Sequence, residues 1–333
     1  MAVITDTTTF DTFFTATIRA YDSELHKNFI SNRPIVSIMM DDYGHTDERG
    51  GRLLQTSAEY GANQTVKFWA GADPFPQEVS QTALPIVYQW RYIGGAVTMA
   101  ETEMLENSSQ AALFDIASSR VRQVTRTMET VLGNEYFSDG TNYQGNTIIG
   151  LAAGVSTTPT VDPASGPVGG IPAATFSWWQ NGAVTSAGSF AANGVKGTST
   201  DVVLNTFNNC TDGMLRRPDH IVSAQDVWQF YNQTLLGTVR YLDPLTTKKG
   251  DLSWMSLQYQ GIPWVWDRQC PAGRMYFLQR DSVHTKVDPR MKFRWSKPLT
   301  YPNQWAYTRL VGLRLVQCYF SRQFTAVIDG FTA

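Results

Sequence analysis

The sequence predicts an α+β fold, and three observations carry that prediction. Apolar residues alternate with period two between about Gly51 and Thr98, and again from Trp305 to Phe331. Between those stretches the period changes to that of a helix, over a run centred on Leu113 to Leu132. A helix–strand–helix unit then follows around His220-Ile221-Val222. Strands, then helices, then strands again is the pattern of segregated elements and not of alternating βα units. At 333 residues, with 42% hydrophobic residues, the chain can bury a sizeable core. It also exceeds the roughly 100–200 residues of a typical single domain. Two sub-domains, or one body with long extensions, are expected.

The chain opens on an amphipathic helix. Phe10, Phe13, Phe14, Ile18, Tyr21 and Leu25 recur at spacings of three and four. Thr9 is a suitable N-cap and Pro34 a stop. The apolar run Ile35 to Met40 reads as a strand. Val66, Phe68 and Ala70 then alternate with Thr65, Lys67 and Trp69, and Leu84, Ile86, Tyr88, Trp90 and Tyr92 alternate with less apolar partners. The segment from Gly71 to Glu78 between them holds Pro74 and Pro76 and reads as a loop. The two runs together predict a long two-stranded hairpin with a proline-rich tip. A lone hairpin is marginally stable in water, so this arm needs a surface to lie on.

A long helix is expected next. Asn107 with Gln110 resembles a capping box. Leu113, Ile116, Ala117, Val121, Val124, Met128, Val131 and Leu132 form one stripe, with Arg120, Arg122 and Arg126 mostly off it. The stretch from Gly133 to Gly140 should close a helix about 40 Å long. From Leu151 to Thr200 the composition turns to Gly, Ala, Ser and Thr, with only Asp162 and Lys196 charged. Phe176, Trp178 and Trp179 make this an ordered, irregular insert with a mobile start, because aromatics bury large areas. Asp201 is the expected cap of a helix using Val203, Phe207, Cys210 and Met214, stopped at Pro218. Ser223 with Asp226 caps a second helix carrying Val227, Tyr231 and Leu235. Strands follow at Ile262 to Trp266 and Met275 to Leu278, and two more between Trp305 and Phe331, broken near Ser321-Arg322.

Charge and cysteine usage exclude several function classes. The net charge is −2 and no basic run exceeds Lys248-Lys249, so the basic stripe of a dedicated nucleic-acid binder is missing. Charged residues make up only 17%. Such a surface loses little charge hydration on docking to other copies. Cys210, Cys270 and Cys318 form neither a CxxC pair nor a disulfide framework, and read as buried small hydrophobes in a reducing compartment. No signal peptide and no run of ~20 apolar residues is seen. The sequons at Asn63, Asn107 and Asn232 then read as chance matches.

Catalytic and metal motifs are equally thin. His45 with Asp47 and Glu48 lies in a short acidic turn with no second histidine near it, and reads as a solvated loop. His220 precedes an apolar strand and reads as a satisfied structural histidine; His26 and His284 are isolated. GxSxG, GxxxxGKS and HExxH are absent. Asp41-Asp42 and Glu101/Glu103 read as surface carboxylates. Trp264 and Trp266 on one strand and Trp178-Trp179 suit core or inter-subunit packing better than a sugar platform. No catalytic residue, cofactor site or metal site is expected.

The order of elements resembles the Hong Kong 97-like capsid fold of tailed bacteriophages over nearly the whole chain. The residues that carry the resemblance lie mostly in its second half. Pro218-Asp219-His220-Ile221-Val222-Ser223-Ala224 is similar to that family's helix–strand–helix entry. Gly261-Ile262-Pro263-Trp264-Val265, Pro271-Ala272-Gly273 and Met275-Tyr276-Phe277-Leu278 resemble a characteristic glycine, proline and strand passage, and Gly169-Gly170-Ile171 leading to Trp178-Trp179-Gln180-Asn181 resembles many capsid sequences. The resemblance implies an N-terminal arm over 1–40, an E-loop hairpin with flanking strands over 41–100, and a peripheral-domain spine helix over 101–145. An axial domain over 146–285 and return strands of the peripheral domain over 286–333 complete it.

The same resemblance implies a major capsid protein, a structural protein and not an enzyme. It would assemble with itself as pentamers and hexamers into an icosahedral head around double-stranded DNA, bound without sequence specificity. Phe10, Phe13, Phe14 and Ile18 on the arm, Trp69 and Phe75 on the hairpin, and Arg120, Arg122 and Arg126 on the helix are the inter-subunit contact candidates. Scaffolding, portal and decoration proteins would be separate partners, with no membrane involved. The chain would sit in the virion, and in the host cytoplasm before assembly. The charged scaffolding pro-segment of some members is not expected, because the arm helix starts within ten residues of Met1. Nor is their lysine–asparagine cross-link: the tip lacks lysine, with Lys67 and Asn303 the only tempting pair. A nanocompartment shell protein of related fold, and less so a β-rich enzyme or carbohydrate-binding module, are the competing readings.

Overall fold

The computed structural model describes residues 33–46, 51–61, 65–68, 70–71, 82–106, 110–185, 188–189, 198–212, 216–236, 257–300 and 305–332. The expected arm helix, with Phe10, Phe13, Phe14 and Ile18, lies outside them, as do Trp69 and Phe75. Described secondary structure begins with helix α1 (Pro34–Ser37), which continues as a π-helical turn through Asp42. This corrects the strand expected at Ile35 to Met40. A short apolar run does not distinguish a strand from a buried helical turn, and here two features favour the helix. Pro34 sits in its first turn, where a missing N–H costs nothing. The Ile35 N–H donates to Asp267 Oδ2 at 3.1 Å, so a carboxylate over 200 residues away satisfies the helix start. Ile35, Val36, Ile38 and Met39 are all buried.

Strand β1 (Gly44–Thr46) follows, then β2 (Leu53–Glu59) and β3 (Ala83–Gln89), paired antiparallel, then β4 (Arg91–Ala100). The hairpin is therefore present, but its first strand lies about ten residues earlier than the alternation at Val66 to Ala70 suggests. On the inward face of β2 Leu54 and Ala58 are buried and Thr56 is half-buried, a face too weakly apolar to stand out in the sequence. The better-alternating residues at 65–68 are in no strand. Along β3 and at Trp90 just after it the buried positions are even-numbered (Ile86, Tyr88, Trp90), and along β4 they are odd (Val97, Met99). The change of face at Trp90-Arg91 hands the chain from one sheet to another, because a one-residue slip reverses every side chain.

Helix α2 (Glu101–Glu106) precedes the long helix α3 (Gln110–Tyr136). Its 27 residues give the expected length of about 40 Å. Ala117, Val121, Met128 and Leu132 form its buried stripe, with Val124 half-buried. The helix passes through Gly133 and ends at Tyr136, inside the stretch expected to close it. A Cβ on Gly133 would stand 2.0 Å from Gln269 Oε1, so glycine makes room for Gln269, whose amide donates to the Thr130 carbonyl at 2.9 Å. Beyond the helix end, the buried Glu135 carboxylate orders the following loop by accepting from Ser138 (3.0 Å), Asn142 (3.1 Å) and Thr147 (2.5 Å).

The insert is packed from its start. A short helix at Leu151–Gly154 buries Leu151, Ala153 and Gly154, which corrects the expectation of a mobile beginning. Gly154 lies against Tyr319, whose ring a Cβ would meet at 1.9 Å. Trp179 is fully buried and donates from Nε1 to the Val168 carbonyl at 3.0 Å. Strands β5 (Gly182–Val184) and β6 (Gly188–Ser189) end the insert. Helix α4 (Thr198–Asn209) includes Asp201 within it and not as its cap. Strand β7 (His220–Ser223), helix α5 (Gln225–Leu236), β8 (Leu257–Tyr259), β9 (Ile262–Trp266) and β10 (Met275–Leu278) follow, with β9 and β10 at their expected bounds. The last strands are β11 (Val283–Val287), β12 (Arg294–Trp295), β13 (Leu299–Thr300), β14 (Ala306–Tyr319), β15 (Ala326–Ile328) and β16 (Phe331–Thr332).

Two six-stranded sheets organise these elements. In the first, the 14-residue β14 pairs antiparallel with β4 on one side and with β11, β12 and β13 on the other; β1 joins β11 in parallel. The second has the order β5-β15-β10-β7-β9-β8. The chain's end therefore serves both sheets, β14 in the first and β15 in the second. One apolar core runs through both, from Ile35 and Tyr43 to Trp264 and Phe277. Trp264 at its centre donates to Ser223 Oγ at 2.7 Å. Burying each such large side chain contributes roughly 1.5–3 kcal/mol. At the far end of α3 a second, smaller cluster joins Val97 and Met99 to Ala117 and Val121. Cys210, Cys270 and Cys318 are buried thiols outside any disulfide, and burial raises the thiol pKa of Cys210 to about 12.

Candidate functional site

What the fold presents among the described residues is uncovered apolar and basic surface, and two adjoining hollows. The hairpin comes first. Its base is anchored on its own chain. Tyr88 donates to the Tyr319 carbonyl at 2.8 Å and accepts from the Tyr319 N–H at 3.0 Å. Gly169, at φ +65°, lies so close to Ile86 that a Cβ would meet it at 2.3 Å. Tyr60 stacks on Trp178 with ring centroids 4.9 Å apart. Val66 is 80% exposed and Phe68 fully exposed (106%).

The long helix separates its three candidate arginines. Arg120 is held within the chain: it donates to both Glu103 carboxylate oxygens at 2.6 and 2.7 Å and also reaches the Thr98 carbonyl. That pins α3 to α2 and β4. Arg122 and Arg126 lie on the exposed face, alongside Ser119, Gln123 and Thr127. The first described residue, Arg33, donates to Thr130 Oγ1 on this helix at 3.4 Å.

Between α3 and β4 lies a half-open cleft of about 630 Å³. Ile93, Gly95, Val124, Met128 and Val131 line it, and Tyr92 (61% exposed) and Tyr143 (63% exposed) stand at its mouth. Its shape depends on Gly94 and Gly95. A Cβ on Gly95 would stand 2.5 Å from Val124, and one on Gly94 would stand 2.8 Å from the Val311 carbonyl oxygen. Tyr143 and Gln144 are both left-handed (φ 51° and 58°), a conformation that costs energy in non-glycine residues. The ordered Glu135 loop holds that turn and so holds Tyr143 outward.

A second hollow, of about 460 Å³, adjoins the first and shares Arg91, Tyr92 and Asn146 with it. Arg52 and Arg314 complete its basic rim. Arg314 stacks over Trp90 at 4.7 Å, pairs with Asp288 at 2.7 Å and donates to the Gly51 carbonyl at 2.5 Å. Burial lowers the Arg91 pKa. The sequence reading passed over this region, because Arg52, Arg91 and Arg314 are far apart in the chain and follow no period. The usable signal was the Gly94-Gly95 pair inside a strand, which marks a close approach of backbone to another element.

The other singled-out residues are structural. His220 lies between Tyr43 Oη (3.3 Å from Nδ1) and Asp42 Oδ2 (3.3 Å from Nε2). Burial lowers its pKa, with Asp42 and Asp219 opposing and Arg280 adding to the fall. Arg322 is fully buried where the chain leaves β14; it donates to the Gly154 carbonyl at 2.7 Å and to Asn181 Oδ1 at 3.0 Å. Among the described residues no group of three His, Cys, Asp or Glu side chains is placed to hold a metal. None of their helices is long and apolar enough to cross a membrane. Side chains of His45 and Trp69, and the segment at 72–81, are outside the description.

Comparison with known proteins gives the fold a class. No family model and no curated protein matches the sequence. Solved structures do match. The capsid asymmetric unit of cyanophage A-1(L) aligns with a TM-score of 0.67 at 14% identity, over 90% of this chain and 93% of that one. The capsid of an empty GTA particle aligns at 0.61 and 12% identity, over 89% and 90%. The SrpI encapsulin of Synechococcus elongatus aligns at 0.54 and 12% identity, over 90% and 88%. The chain has the fold of tailed-phage capsid proteins, as the order of its elements implied.

Proposed function

We propose that this chain is a structural shell subunit, the major capsid protein of a tailed bacteriophage, and not an enzyme. It assembles with itself, as pentamers and hexamers, into an icosahedral head that encloses double-stranded DNA. The observation that carries this reading is the capsid fold extending over about nine-tenths of the chain and of its structural neighbours alike. The exposed Val66 and Phe68 on the hairpin support it, because neighbouring apolar side chains left in water suit a docking surface.

In this reading the arm, with Phe10, Phe13, Phe14 and Ile18, and the hairpin, with Trp69 and Phe75, bury their apolar side chains on adjacent copies. Arg122 and Arg126 are contact residues, while Arg120 serves the subunit's own frame. The five segments at 1–40, 41–100, 101–145, 146–285 and 286–333 act as arm, hairpin, spine, axial domain and return strands. Scaffolding, portal and decoration proteins are separate partners, and the subunit passes from host cytoplasm to virion.

Negative-stain imaging of the purified chain tests the reading. Closed polyhedral shells are expected. A sharp 37.2 kDa monomer peak on size exclusion with no particles at any concentration would overturn it. The encapsulin likeness favours a second reading, a nanocompartment shell. Particles isolated with packaged enzyme in place of DNA would establish that one.

A further inference from the structure

We infer that the hollow at the start of β4 is a binding site for a compact, multiply charged oxyanion of the phosphate class. Its lining brings together Arg52 from the turn before β2, Arg91 from β4 and Arg314 from β14, with the amides of Gln89 and Asn146. Among the described residues that line it there is no Asp or Glu. The three cations are not equivalent. Arg314 is committed: it pairs with Asp288 at 2.7 Å, donates to the Gly51 carbonyl at 2.5 Å, and lies over the rings of Trp90 and Tyr92 at 4.7 and 5.4 Å. Its charge is compensated and it builds the wall. Arg52 and Arg91 pair with no carboxylate among the described residues. Arg91 is half-buried, so it has lost part of its hydration without gaining a counter-charge.

Donors are in surplus here as well as charge. The indole N–H of Trp90, a residue 5% exposed, has no acceptor among the described residues. The carboxylate of the adjoining cleft, Glu135, already accepts from Ser138, Asn142 and Thr147. That surplus selects the ligand. Two uncompensated guanidinium groups are balanced by about two negative charges, which a phosphate group carries near neutral pH and a single carboxylate does not. Each guanidinium fork can set two N–H donors against two oxygens of such an anion. The volume of about 460 Å³ lies within the roughly 300–1,000 Å³ of small-ligand sites. Long nucleic acid is held by a basic stripe that follows its backbone, whereas this is one concave spot. A free phosphate-class anion is therefore the expected source, and a phosphate of a DNA backbone is the other. Bound there, the anion joins the turn before β2 to the start of β4 and to the loop that carries Asn146, bracing the root of the hairpin.

Titration calorimetry on the full chain tests this, in phosphate-free buffer at constant ionic strength, with inorganic pyrophosphate and a short DNA duplex as the two probes. Pyrophosphate should bind at one site per chain. Arg52→Gln and Arg91→Gln should each weaken it about tenfold or more. Arg91→Lys, which keeps the charge without the fork, should fall between. Arg217→Gln, at an exposed arginine that does not line the hollow, should leave the affinity unchanged. Duplex binding with the same dependence on Arg52 and Arg91, and none of pyrophosphate, would keep the phosphate site and make nucleic acid its source. Binding of neither probe would overturn the inference and leave the shell reading standing. So would binding that Arg52→Gln and Arg91→Gln leave intact, or that Arg217→Gln weakens as much. Should Arg91→Gln fail to fold, Arg52→Gln decides, because Arg52 is exposed.

Discussion

At the residue scale, two buried polar side chains bear much of the local order. The Arg322 guanidinium donates to the Gly154 carbonyl and to Asn181, which in turn accepts from the Ser156 N–H and donates to its carbonyl. This ties the end of β14 to the start of the insert. Replacing Arg322 by Ala leaves those acceptors unpaired and a cavity behind, and should cost about 3 kcal/mol or more of subunit stability. Arg322→Lys should not recover it, since an ammonium cannot reproduce the fork of donors. Denaturant unfolding of unassembled subunits measures both. His220 gives a pH-dependent effect. Its folded pKa lies below the ordinary value because burial disfavours the cation. The unfolded chain therefore binds the proton more readily. Stability is fully present above about pH 6.5 and falls as the pH drops through the lowered folded value. His220→Gln should flatten the unfolding midpoint between about pH 6.5 and 5, which thermal melts across that range would reveal.

At the scale of elements, the decisive contact is α3 lying across β4. Glycine at 95 lets Val124 approach the strand, and Arg120 with Glu103 fixes the helix along its length. Gly95→Val should push the two apart and destabilise the subunit by about 1–3 kcal/mol. Because the same separation shapes the cleft, shells of Gly95→Val should also be fewer or misshapen in micrographs. Gly312→Ala, where the nearest atom is the flexible Met291 terminus at 2.8 Å, should be far milder on both readouts.

At the scale of the whole molecule, the described residues share one large core through both six-stranded sheets, with a smaller cluster between α3 and β4. The hairpin is rooted in the large core through Ile86, Tyr88 and Trp90, and Tyr60 stacks on Trp178. For the N-terminal segment the expectation comes from its stripe of Phe10, Phe13, Phe14 and Ile18. Deleting residues 1–30 should abolish shells while leaving soluble oligomers or aggregates; normal particles from that chain in the electron microscope would refute the arm's role.

The sequence by itself determined the α+β class, the long helix, the strands at Ile262 to Trp266 and Met275 to Leu278, and the broken pair at the C-terminus. Each of these is written in local periodicity or in turn residues, so the information lies within a dozen positions. Tertiary structure alone decided the rest. Ile35 to Met39 became helical because Asp267 caps them from another part of the chain. The first hairpin strand fell at Leu53–Glu59 because pairing with β3 and packing on Gly169 outweighed a stronger alternation further on. The arginine rim exists because the turn before β2, the start of β4 and strand β14 converge, bringing together residues 52, 91 and 314. A local pattern reports which face of a segment is apolar. Which partner covers that face is settled by contacts between segments distant in sequence, and no single stretch records them.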